Sequence, residues 1–100
     1  MVNKIEWSIK AEDTFEAIIA YLEKEFTQKE VVNIVNRVYE KLELLSLFPE
    51  MGVSSPKKKH TYRTLIHKKI TLVYHHKPVK NEIVLITFWN NLQNPIALKH

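Results

Sequence analysis

Thr27-Gln28-Lys29-Glu30 separates two stretches whose apolar residues recur at helical spacing, and its reading decides the fold. A threonine followed three positions later by a glutamate is a capping box: the hydroxyl accepts from the Glu30 amide while the Glu30 carboxylate reaches back to the Thr27 amide. One helix therefore ends before Thr27 and a second begins there. Upstream, Ala11, Phe15, Ile18, Ile19, Leu22 and Phe26 form one stripe, with Glu12, Asp13, Glu16, Glu23 and Lys24 on the opposite side. Downstream, the stripe is Val31, Ile34, Val35, Val38, Leu42 and Leu45, and Pro49 should stop the helix by Phe48. Two helices with so short a connection predict an antiparallel helical hairpin.

Before the hairpin, residues 4–9 alternate, with Ile5, Trp7 and Ile9 on one side and Lys4, Glu6 and Ser8 on the other, which predicts a half-buried strand. After it, Pro49 to His60 reads as a loop containing Gly52, Ser54, Ser55, Pro56 and three lysines. Three β-rich segments follow, Thr61–His67, Ile70–His76 and Glu82–Asn90, with connections short enough for an antiparallel meander. The last is apolar on both faces, as a central strand should be. The order is β-α-α-β-β-β, an α+β domain over residues 1–100 with the helical hairpin packed on one face of an antiparallel sheet. Trp7, Phe15, Phe26, Phe48, Phe88 and Trp89 are assigned to the core.

Charge is divided along the chain. Residues 1–50 carry 10 acidic and 6 basic side chains, residues 51–100 carry 1 and 9, so a net +4 conceals a first half at −4 and a second at +8. A face built from the second half attracts polyanions or an acidic protein. The chain has no cysteine, which excludes disulfides, thiolate catalysis and cysteine-held metal. A single glycine leaves no phosphate-cradling nucleotide loop, so no cofactor is expected. The N-terminus has no signal-peptide character and no stretch has the length of a membrane span, so a cytoplasmic location and no membrane partner are expected.

Within the basic half, Lys57-Lys58-Lys59 precedes the strand that holds Arg63. Arg63 alternates with Tyr62 and Thr64 and so leaves the opposite side of the sheet, where a guanidinium needs a carboxylate or an anionic ligand. Glu82 is the only acid in this half. His75 and His76 are adjacent on a strand and leave opposite faces, so they do not share a metal, and no metal site is expected. Tyr62 and Tyr74 lie on strands flanked by cations, a setting in which an aromatic ring can stack on bases.

These segments carry a resemblance. Trp7 in the first strand, Ile18-Ile19-Ala20-Tyr21-Leu22, the helix end Leu44-Leu45-Ser46-Leu47-Phe48-Pro49-Glu50-Met51-Gly52, then Tyr62-Arg63-Thr64-Leu65, Leu72-Val73-Tyr74 and Phe88-Trp89-Asn90-Asn91-Leu92-Gln93-Asn94-Pro95 together resemble the RelE/ParE toxin superfamily, most closely its ParE-like (plasmid stabilization protein) branch. The resemblance implies a toxin of a type II toxin–antitoxin pair with a cognate antitoxin as partner. In the superfamily the target is DNA gyrase for ParE-like members and the ribosome with its messenger RNA for RelE-like ones. It also implies a target- or nucleic-acid-binding surface of Lys57, Lys58, Lys59, Arg63 and His67, with Arg63 the candidate catalytic residue if the chain is an enzyme. The ribonuclease branch places an arginine or histidine late in the last strand and a tyrosine or histidine near the C-terminus. Here the late positions are Asn90, Asn91 and Leu92, no tyrosine follows Tyr74, and the terminal histidine is His100. Leu92 also stands where ParE-like chains carry an arginine before Gln-Asn-Pro. These departures favour a non-nuclease toxin, or a weakened nuclease, and the expected mode of action is binding. The alternatives are a ribosome-dependent endoribonuclease, with His60, His67 or His75 as acid or base, and a non-toxic module that only binds its antitoxin.

Overall fold

The computed structural model describes residues 2–67 and 69–92. The elements are β1 (Lys4–Trp7), α1 (Ile9–Glu25), α2 (Gln28–Leu47), β2 (Val53–Ser54), β3 (Thr61–His67), β4 (Ile70–Lys77), a 3-10 turn (Pro78–Lys80) and β5 (Glu82–Asn90). The expected order holds, with two changes. Residues 53–54, read as loop, add a short strand to the edge of β3. The sheet, ordered β1-β5-β4-β3-β2, is mixed rather than wholly antiparallel, because β1 lies parallel to β5. That pairing puts β5 in the interior of the sheet, where its apolar character suits it.

The first strand is shorter than the 4–9 alternation predicts, because Ser8 is the N-cap of α1. Its hydroxyl accepts from the Ala11 amide at 3.0 Å, and Ile9 enters the first helical turn, 77% exposed. The capping box of α2 is present in both directions, with Glu30 N–H to Thr27 Oγ1 at 3.2 Å and Thr27 N–H to Glu30 Oε1 at 3.3 Å. Thr27→Ala should cost about 1 kcal/mol; a loss below about 0.3 kcal/mol in urea unfolding would mean the box contributes nothing.

Both helical stripes pack on one face of the sheet against Ile66, Ile70, Leu72, Tyr74, Ile83, Leu85 and Phe88. A bulge in β5 makes this pattern fit. Val73 pairs with Thr87 and Tyr74 with Leu85, so Ile86 is the additional residue and Leu85 and Phe88 both turn inward. A bulge disrupts the ladder, and α1 supplies the missing partners. The Ser8 hydroxyl donates to the Ile86 carbonyl at 3.1 Å, and Thr14 Oγ1 accepts from the Phe88 amide at 3.0 Å. Phe48, expected in the core, is 60% exposed beyond the end of α2.

Candidate functional site

By strand alternation, the face of the sheet away from the helices carries Thr61, Arg63 and Leu65 from β3 and Thr71, Val73 and His75 from β4. Arg63 opens onto a shallow cleft of about 230 Å³, lined also by Met51, Gly52, Val53, Leu65 and Thr71. Tyr74 fixes the near wall: its hydroxyl donates to the Pro49 carbonyl at 2.8 Å and accepts from the Gly52 amide at 3.1 Å. The chain leaving α2 is thereby clamped to β4, and β2 is laid beside Arg63, with Val53 as its register partner. Met51, Val53 and Leu65 are each more than 40% exposed.

The expected cation cluster assembles in part. The backbone amides of Lys57 and Lys58 both donate to Ser55 Oγ at 3.2 Å, and the Ser55 amide donates to the Thr61 carbonyl at 2.7 Å. This folds the lysine loop against the start of β3, with all three lysine side chains exposed. Arg63 makes no ion pair among the described residues, and Glu82 pairs instead with Lys77 at 3.8 Å. An arginine with no carboxylate partner among the described residues, on the strand whose start carries the exposed lysine loop, is equipped to hold an anion, a phosphate or a carboxylate.

His67 does not join this cluster. Alternation along β3 would place it with Arg63, but the register shifts between Leu65 and His67 and pairs His67 with Ile70, a residue of the helix-facing core. His67 therefore borders a different cleft, of about 180 Å³, with Glu30, Asn33, Ile34, Arg37 and Lys69. The Lys69 ammonium sits 4.4 Å from the centre of the Phe26 ring.

His75, by contrast, does share the face of Arg63. Its Nδ1 lies 3.2 Å from Thr61 Oγ1, and its ring stands edge-on to that of His60 at 6.5 Å. Burial, and then the neighbouring Lys77, His60 and His76, hold its imidazole below the usual histidine range, so it is neutral at pH 7. The late strand offers nothing titratable to match it. The Asn91 side chain donates to Thr71 Oγ1 at 2.9 Å, its backbone amide donates to the Lys69 carbonyl at 2.9 Å, and Asn90 Oδ1 accepts from the Leu92 amide. Gln93, Asn94, Pro95 and His100 lie outside the described residues. Among the described residues no three histidine, aspartate or glutamate side chains group as metal ligands, and no helix is long and apolar enough to cross a membrane.

The fold is shared with solved proteins of bacterial toxin–antitoxin systems. A chain of the chromosomal ParDE toxin–antitoxin system from P. aeruginosa superposes with a TM-score of 0.70 at 16% identity, over 89% of this chain and 96% of that one. A chain of the RelBE2 toxin–antitoxin complex from Mycobacterium tuberculosis gives 0.61 at 10% identity, over 90% and 99%. A metal-bound toxin from Helicobacter pylori gives 0.56 at 18% identity, over 94% and 99%. A search of curated proteins found no match. The model of the family described as ParE toxin of type II toxin–antitoxin system, parDE, matches residues 5–95, and the chain belongs to that family. It is the toxin component of a type II toxin–antitoxin system.

Proposed function

We propose that this toxin acts in the cytoplasm as a single domain that binds DNA gyrase, the target in the ParE-like branch, and that a cognate antitoxin neutralises it. The observation that carries the reading is Arg63, which has no ion-pair partner among the described residues and lies on the strand whose first residue, Thr61, holds the exposed lysine loop, while the late-strand asparagines are committed to structural hydrogen bonds. The surface has charge to bind and orient an anionic partner but no acid–base pair at the end of β5. An acidic antitoxin segment meeting the same surface would be bound more weakly as salt rises. The test is a gyrase supercoiling assay with purified toxin. Inhibition is expected, with Arg63→Ala raising the concentration needed about tenfold, the size of one charge-assisted hydrogen bond lost. Normal supercoiling at a large excess of correctly folded toxin would overturn the gyrase mechanism.

A second reading, a ribosome-dependent messenger RNA endoribonuclease, is favoured by neutral His75 on the same face as Arg63. A neutral imidazole can take the proton of an attacking ribose hydroxyl. Cleavage products at the ribosomal A site in a translation extract, abolished by His75→Ala and declining as pH falls and the imidazole charges, would replace the gyrase reading with this one.

A further inference from the structure

On the acidic half of the chain a second cavity shares no residue with the Arg63 cleft. It measures about 400 Å³ and is lined by Trp7 of β1, Glu12, Phe15 and Glu16 of α1, and Tyr39 of α2. Two of its three aromatic walls are held rigid by the core. Trp7 stacks on Phe88 at 5.3 Å and meets Phe15 edge-on at 5.4 Å, while Phe15 lies 5.0 Å from Phe88. The third wall, Tyr39, is 54% exposed and lies outside the buried stripe of α2, so packing of the hairpin does not explain a large aromatic there. Glu12 and Glu16 are one helical turn apart, an arrangement in which like charges oppose the helix. Neither has a salt-bridge partner among the described residues.

We propose that this cavity is a binding site for a guanidinium group, presented as an arginine side chain by a partner protein. Aromatic faces attract a cation through their quadrupoles, and the planar guanidinium both stacks on rings and accommodates carboxylates in a fork, which a lysine ammonium does not. Two carboxylates on one rim and three aromatic side chains around it meet both requirements. The charge of this half, net −4, is complementary to a basic partner segment, whereas the Arg63 surface is complementary to an acidic one. The site stands whether or not gyrase is the target.

The test is a titration of the full chain with acetyl-arginine amide, followed by the indole N–H signal of Trp7 and assigned with Trp89→Phe. Acetyl-citrulline amide, the neutral isostere, is the control. A saturable shift with the arginine probe and none with citrulline is expected. Glu12→Gln combined with Glu16→Gln should raise the apparent Kd about tenfold. Both glutamates are exposed, so the doubly substituted chain should fold, and the remainder of its spectrum reports that directly. Tyr39→Ala, also at an exposed position, should weaken binding severalfold. An immobile Trp7 signal up to the solubility limit of the probe would overturn the proposal. So would an equal response to citrulline, or an affinity unchanged by the glutamine substitutions.

Discussion

Phe88→Ala will destabilise the protein by about 3–5 kcal/mol, the cost of deleting a buried phenylalanine whose surroundings cannot collapse. Phe88 is 2% exposed and is in contact with both Trp7 and Phe15, so its removal strips a partner from each ring. Those rings belong to β1 and α1, which the bulged segment of β5 also holds through Thr14 and Ser8. The local structure is therefore too constrained to fill the void. A domain of this size has about 5–15 kcal/mol in total, so the melting temperature should fall by roughly 15–30 °C. Phe48→Ala is the internal control. Its ring is 60% exposed, and its truncation should change stability by no more than about 0.5 kcal/mol. Urea unfolding of the two variants side by side decides the matter, and equal losses would contradict the aromatic packing.

Gly52→Ala should cost about 2–4 kcal/mol, for a steric rather than a conformational reason. The glycine does not occupy the left-handed region, so its backbone is open to any residue. A methyl group there would stand 2.7 Å from the Arg63 carbonyl oxygen and 2.7 Å from the Tyr74 hydroxyl. The first is backbone within a paired strand and cannot retreat; the second can retreat only by giving up its bonds to Pro49 and Gly52. Tyr74→Phe removes one of the two obstructing atoms, so the double variant should be less destabilised than the sum of the single ones, with a coupling of about 1 kcal/mol. Strict additivity would show that the hydroxyl is not the obstruction. The same hydroxyl gives a pH signature. Burial pushes its pKa from 10.0 up to about 12, which favours the neutral phenol in the folded chain. The stability it confers is complete below pH 10 and is lost as pH climbs towards 12, and Tyr74→Phe should remove that decline.

Most of the fold was legible because its elements announce themselves locally. The capping box at Thr27, the two helical stripes and the bounds of the three later strands depend on residues a few positions apart, which is the range over which periodicity carries information. The misreadings share the opposite character. β2 has two residues, too few to show a period. The parallel pairing of β1 with β5 joins segments 78 positions apart and leaves no local trace. The resemblance places His67 with Arg63 in one binding surface, as simple alternation along β3 would, but one shift of register turns it to the other side of the sheet. At the candidate site the charge asymmetry located Lys57, Lys58, Lys59 and Arg63, but not the apolar flanks. Met51 and Val53 reach the cleft through the clamp between Tyr74, Pro49 and Gly52, a contact across 22 to 25 positions that no motif encodes.

The parallel pairing of the first strand with the last also bears on when the chain can fold during its synthesis. Synthesis runs from the N-terminus, so β1, α1 and α2 emerge while the strand they need is still untranslated. Until residues 82–90 are made, β1 has no neighbour in the sheet and the aromatic rings of Trp7 and Phe15 have no Phe88 to rest on. Contacts of such long range form late and raise the folding barrier. A ribosome that stalls before β5 therefore releases a chain with exposed hydrophobic surface, a substrate for chaperones and proteases. Folding of this architecture therefore waits for the completion of β5.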